Sequence, residues 1–233
     1  LEAARASRVR RLVYAASSSV YGETEVLPKV ETMIPQPISP YGVYKHTVEH
    51  LCEVWTRVFD FECVALRYFN VFGPRQRPDS EYAAVIPKFI SMMQDGQRPV
   101  LNGEGTQTRD FCYVENVVAA NLAAMVAPEA PGKVFNIACG ERTSLLALIA
   151  RINGYLGTHL EPQFAPPRPG DIQDSLADIE AAKSILGYQV RVPFIDGLAR
   201  TLEWYRDGGA QWDATAARRI SPGTPLLDHP EPL

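Results

Sequence analysis

Apolar positions fall along this chain in two alternating rhythms. Short runs such as Leu12-Val13-Tyr14-Ala15-Ala16 end in small polar residues, as a buried strand does where it meets a loop. Longer stretches repeat their apolar residues at helical spacing. The pattern predicts a strand over Arg11 to Ala16, then a helix capped by Ser39, with Pro40 in its first turn, running to about Phe59. A second strand follows over Glu62 to Phe69, then helices over Val85 to Gln94 and over the alanine- and valine-rich stretch Val114 to Val126. Lys133 to Ala138 returns as a strand. Thr143-Ser144 caps a helix to about Leu156, Asp178 caps a short one closed by Gly187, and Pro193 opens a last helix through Tyr205. Strands alternating with helices imply an α/β fold around a parallel sheet, and the proline-bearing stretch Glu161 to Gly170 marks the crossing into a smaller lobe.

Composition narrows the partners more than the fold. At 233 residues, 46% hydrophobic and 21% charged, the chain can close a core and falls between one domain and two. A formal net charge of -4, with no basic block beyond Arg8 to Arg11, argues against a nucleic-acid partner and for a small molecule. No apolar run approaches the roughly 20 residues of a membrane span, and the N-terminus lacks a signal peptide's apolar centre, so no membrane partner and a cytoplasmic location are expected. Cys52, Cys63, Cys112 and Cys139 form no Cys-x-x-Cys pair and lie in apolar segments; they read as reduced core thiols without chemistry.

The chemistry concentrates in Tyr41-x-x-x-Lys45, downstream of Ser17-Ser18-Ser19-Val20-Tyr21-Gly22. Four residues on a helix rotate by about 40° and rise about 6 Å, so phenol and ammonium share a face. A cation there favours phenolate, and a tyrosine so placed can serve as a base towards a substrate hydroxyl, with sugar hydroxyls the obvious candidates.

These residues, with Arg67-Tyr68-Phe69-Asn70-Val71-Phe72-Gly73 and Thr108-Arg109-Asp110-Phe111 in the same order, resemble the extended short-chain dehydrogenase/reductases, specifically the NAD-dependent nucleotide-sugar epimerases. Within them the chain is most similar to the UDP-N-acetylglucosamine 4-epimerases, through Arg109-Asp110-Phe111-Cys112-Tyr113, Arg142-Thr143-Ser144-Leu145, Arg168-x-Gly170-Asp171 and Ser175-Leu176-Ala177-Asp178. The resemblance runs from about Arg11 to Tyr205. It implies part of a Rossmann-like doubly wound parallel sheet with NAD as cofactor over residues 1–160, a mainly substrate-binding lobe over 161–207, and a loose tail over 208–233.

By motif position, the resemblance implies that Tyr41 takes the proton from the sugar's 4-hydroxyl while hydride leaves C4, giving a 4-keto sugar that is reduced from its other face. Lys45 holds the nicotinamide ribose and acidifies the tyrosine, and Ser17 relays the proton. Ser18 and Ser19 touch the sugar, Tyr68 lies beside the nicotinamide, and Asn70 lies beside the sugar diphosphate. Arg109 and Arg168 grip the diphosphate with planar donor forks, and Asp171 contacts a ribose. Ser175 helps limit the sugar pocket, and its small side chain leaves room for an N-acetyl group. Ser19 stands where related dehydratases and decarboxylases carry a glutamate. UDP-glucuronate and UDP-glucose remain rival substrates, and the family's helices corresponding to those of Tyr41 and Val85 pair with their copies in a homodimer. Val43, Leu51, Val54 and Val58 permit this pairing, and intramolecular burial explains them as well.

One part of the pattern is absent. The glycine fingerprint that brings a helix N-terminus to a dinucleotide pyrophosphate should follow the first strand, yet the chain opens at what resembles the family's fifth. Gly103-Glu104-Gly105 is no substitute, since position 108 is threonine, and it reads as a turn. The expectation is a fragment, with weak or no epimerase activity alone and an exposed apolar edge along Leu12 to Ala16. Two readings from other classes stand beside this one: a non-catalytic UDP-sugar-binding domain, and a zinc peptidase, because His46-Thr47-Val48-Glu49-His50 matches the inverted metallopeptidase pattern, with Glu49 to activate water.

Overall fold

A computed structural model describes residues 1–78, 84–167 and 172–209. In chain order, α1 (Glu2–Ala6) leads into β1 (Arg11–Ser17), and α2 (Pro40–Phe59) carries the chain to β2 (Glu62–Tyr68). Next come β3 (Val71–Phe72), α3 (Val85–Gln94), β4 (Val100–Asn102), β5 (Thr108–Arg109) and β6 (Cys112–Tyr113). Then follow α4 (Val114–Val126), β7 (Val134–Ile137), β8 (Thr143–Ser144), α5 (Leu145–Leu156), β9 (Gln163–Ala165) and α6 (Phe194–Trp204).

The main sheet is parallel, in the order β1-β2-β7, with Leu12 opposite Cys63 and Val13 opposite Val64. Side chains alternate across its faces, so this register sends Leu12, Tyr14 and Cys63 to one side, against Val48, Cys52 and Trp55 of α2. Val13, Val64 and Leu66 go to the other, against Val117, Ala120 and Ala124 of α4. A central parallel strand covered on both faces must be apolar throughout, and Cys63 to Leu66 are fully buried. The next residue breaks that rule. Arg67 is 3% exposed, and it survives burial because its guanidinium meets both carboxylate oxygens of Glu49, reaching up from α2, while lying 4.6 Å over the Tyr21 ring.

A second apolar cluster gathers α3, α5 and α6 around Phe72, whose ring meets Phe111, Tyr113 and Phe194 edge-on. Three short two-stranded pairings lie apart from the main sheet: β3 with β6 and β4 with β9 in parallel, and β5 with β8 antiparallel.

The expected serine caps are in place. Ser39 Oγ accepts from Gly42 N–H at 3.1 Å and Ser144 Oγ from Ala147 N–H at 3.1 Å, whereas Asp178 Oδ1 accepts from Glu180 N–H at 2.9 Å ahead of the turn Ala182–Leu186, which has no side-chain cap. Gly187 closes the short helical turn Ala182–Leu186 in the left-handed region, and Gly103 to Gly105 form the expected turn. The short strands β3 to β6, β8 and β9 were not legible, because two or three residues carry no periodicity and owe their extended form to the segment they pair with. Among the described residues, no helix is long and apolar enough to cross a membrane.

Candidate active site

β1 ends at Ser17 and the chain turns at once into a short 3-10 helix, Ser18–Tyr21. Ser17 Oγ accepts from the N–H of Ser19 at 3.2 Å and lies 3.0 Å from the Ser19 hydroxyl. The turn closes on Gly22, whose φ of 64° suits glycine and whose Cβ, had it one, would sit 1.9 Å from the Gln36 carbonyl oxygen. Lys29, which is 1% exposed, donates to the Gly22 carbonyl at 3.1 Å and pins the turn from behind. Burial pushes the Lys29 ammonium below its usual pKa, and the positive charge of Arg109 adds to the effect.

The serine turn and the start of α2 are held together by a close approach. A Cβ on Gly42 would lie 2.8 Å from the Ser19 carbonyl oxygen, so only glycine lets Tyr41 come this near the serines. Tyr41 and Lys45 then project from one face of α2. Lys45 Nζ donates to the Ala15 carbonyl at 2.7 Å and sits between two rings, 5.6 Å from the centroid of Tyr41 and 5.2 Å from that of Tyr14. Tyr41 is 56% exposed, which leaves its hydroxyl open to a ligand. Tyr21 contrasts with it: 2% exposed, it donates to Asn136 Oδ1 at 2.7 Å, and burial lifts its pKa to about 12, so it is a structural phenol.

Ser17, Ser18, Tyr41, Lys45, Tyr68 and Asn70 line one cleft of about 310 Å³ at the carboxyl ends of β1 and β2, where open parallel sheets place their ligands. Ser19 stands behind, bonded to Ser17. Tyr68 donates its hydroxyl to Asn121 Oδ1 of α4 at 3.0 Å, and burial raises its pKa. Asn70 and Val71 also line a second cleft, of about 270 Å³, with Lys88, Asn102, Gln107 and Arg109. Arg109 Nη1 donates to the carbonyls of Thr108 at 2.9 Å and Gln173 at 3.2 Å. Ser175 is buried and lines neither cleft; its hydroxyl lies 3.4 Å from Asn70 Nδ2, so it reaches the site through Asn70. Arg168 and Asp171 lie outside the described residues.

Asp110 is buried and lines neither cleft, but it ties together segments that do. Its Oδ1 accepts from Cys139 N–H and its Oδ2 from the N–H groups of Gly140 and Ala177, while its own carbonyl accepts from Asn70 Nδ2 at 3.0 Å. Burial lifts its pKa to about 6 despite the three N–H donors that pull the other way. Asp110 thus serves backbone amides.

Sequence reasoning missed Lys88, Lys29 and Tyr14. Lys88 had a signal, as the one charged residue in the apolar helix Val85–Gln94. Lys29 and Tyr14 had none, since their roles depend on neighbours distant in sequence. The zinc-peptidase reading is corrected by the fold: the Glu49 carboxylate is 4% exposed and spent on Arg67, and His50 sits 3.5 Å from Glu53. Among the described residues, no three metal-ligating side chains converge.

The sequence profile of the NAD dependent epimerase/dehydratase family matches residues 1–138, more than half of the chain. The chain belongs to this family. A UDP-glucose 4-epimerase of Mycolicibacterium smegmatis is 37% identical over 207 residues, covering 88% of this chain and 66% of the relative. Among solved structures, a UDP-N-acetylglucosamine 4-epimerase from Methanobrevibacter ruminantium, in complex with UDP-N-acetylmuramic acid, superposes with a TM-score of 0.84 at 35% identity, over 89% of this chain and 66% of that one. A UDP-glucuronic acid 4-epimerase from Bacillus cereus, in complex with UDP-glucuronic acid and NAD, gives 0.82 at 34% identity, over 88% and 64%. The chain spans about two thirds of the length of these epimerase-family relatives.

Proposed function

We propose that this chain acts in NAD-dependent epimerisation at C4 of a UDP-hexose, with UDP-N-acetylglucosamine and UDP-N-acetylgalactosamine as the interconverted pair. One observation carries the reading: Ser17, Tyr41 and Lys45 meet in a single cleft, which Asn70 joins to the cleft containing Arg109. The donor set fits the nicotinamide end of a dinucleotide. Lys45 spends one of its three N–H donors on Ala15, leaving two for ribose hydroxyls, and the Tyr68 ring flanks the space. When bound, NAD supplies the acceptor that takes hydride from C4 and returns it to the opposite face.

The chain's own residues do the rest. Tyr41 withdraws the proton from the 4-hydroxyl, with the Lys45 ammonium standing beside its ring. Ser17 relays that proton and, through its bond to Ser19, keeps a fixed orientation. Arg109 and Lys88 hold the diphosphate in the second cleft, with Arg168 and Asp171 assigned to the diphosphate and ribose by motif alone. Ser175, small and set behind Asn70, keeps bulk away from the sugar's acetamide. Val43, Leu51 and Val58 of α2 are exposed, which supports pairing with a second copy, checked by sedimentation.

Incubation with UDP-N-acetylglucosamine and added NAD, followed by chromatography of the sugar nucleotides, tests the proposal. UDP-N-acetylgalactosamine should form. Faster conversion of UDP-glucuronate or UDP-glucose would reassign the substrate. Calorimetric binding of UDP without any conversion would favour a non-catalytic sugar-nucleotide module.

A further inference from the structure

The fold sorts the four cysteines into two pairs that nothing in their spacing announces. Cys52 of α2 lies beside Cys63 of β2, both sealed in the core. Cys112 of β6 lies beside Cys139, just past the end of β7, and this second pair has a door. Cys139 is half-buried and, with Ile179, Lys183, Tyr188 and Val190, walls an open cavity of about 440 Å³. Cys112 is fully buried beside it: its Sγ is 3.8 Å from the hydroxyl of Tyr188, a residue of the cavity wall, and that hydroxyl donates to the carbonyl of Ala138, the residue before Cys139, at 2.8 Å; the neighbouring Cys139 and burial keep the Cys112 thiol protonated well above its usual range. The Asn116 amide, 3.9 Å from Cys139 Sγ, holds the outer thiol from the other side.

We propose that Cys112 and Cys139 form a reversible dithiol that low-molecular-weight disulfides, such as oxidised glutathione, convert to an intramolecular disulfide through this cavity. The half-buried member, Cys139, which walls the cavity, reacts first, as its thiolate. The Cys139 sulfur attacks one sulfur of the small disulfide, forming a mixed disulfide and expelling one thiolate, which takes up the proton Cys139 gave up. Cys112 then loses its proton and attacks the Cys139 sulfur, expelling the second small thiol. The protein gives up two electrons and two protons, and one small disulfide becomes two thiols. The outer thiol has access and the inner one has none, so the order is set by burial. The backbone N–H of Cys139 donates to Asp110, whose carbonyl accepts from Asn70 of the two clefts.

The native chain incubated with oxidised glutathione, then alkylated and analysed by intact and peptide mass spectrometry, tests this. The expected product has lost two hydrogens and two alkylatable thiols, contains a Cys112–Cys139 linked peptide, and reverts with excess dithiothreitol, while Cys52 and Cys63 stay free. Cys112→Ala should halt at a glutathione adduct on Cys139, and Cys139→Ala should leave all remaining thiols unmodified. Cys52 and Cys63 remaining resistant to alkylation before reducing denaturation shows that each sample is folded. Four free thiols in the treated native chain, a lasting adduct on Cys139, or a crosslink involving Cys52, Cys63 or another molecule would overturn the proposal.

Discussion

Tyr41 and Tyr21 show how far a residue's identity is from its role. Both phenols follow serines in the same motif region, but Tyr21 is sealed and bonded to Asn136, whereas Tyr41 opens into a cleft beside an ammonium. Tyr41→Phe removes the hydroxyl and keeps the ring that packs near Lys45, so turnover measured by product chromatography should fall by about 10²–10⁴-fold with UDP affinity unchanged. Ser175→Tyr places a ring where a buried hydroxyl now meets Asn70, and should suppress conversion of the N-acetylated sugar more than that of the plain one. The motif spacing made Ser17, Tyr41, Lys45 and Asn70 legible, because one helix turn and two strand ends are local geometry. Lys29 and Tyr14 were not legible, since a buried lysine and a half-buried tyrosine acquire meaning only when Gly22 and Lys45 arrive beside them.

Helices and long strands announced themselves through caps and periodicity, and Ser39, Ser144 and Gly187 sit where those signals placed them. Two-residue strands did not, because their extended form is imposed by partners such as Thr143 and Ser144 facing Arg109 and Thr108. The same limit misled the reading of α2, where His46, Glu49 and His50 have a metallopeptidase spacing while Glu49 turns inward to Arg67. That ion pair fastens helix to sheet. Glu49→Leu leaves a guanidinium buried without its carboxylate and should cost about 3–5 kcal/mol in chemical denaturation, whereas replacing both partners by apolar residues of similar volume should recover most of the loss.

For the molecule as a whole, Asp110 joins the β5–β6 connection, the end of β7 and the Ala177 segment through three backbone N–H bonds. Its pKa of about 6 in the fold lies above the 3.8 of an unperturbed carboxyl, so the folded chain binds this proton more tightly than the unfolded one. Its contribution to stability is therefore complete below about pH 4 and is lost as pH rises through about 6. The stability of the native chain relative to Asp110→Asn should fall by about 2 kcal/mol between pH 4 and 7, read from denaturation midpoints across that range. The sequence by itself determined the α/β alternation, the helix caps and the Tyr41/Lys45 face, because each follows from residues within a few positions of one another. Tertiary structure alone decided that Glu49 belongs to Arg67, that Asp110 gathers three distant amides, and that four scattered cysteines stand as two pairs. Those contacts join residues far apart in the chain, and only the parallel register and the packing of α2 and α4 on opposite faces bring them within reach.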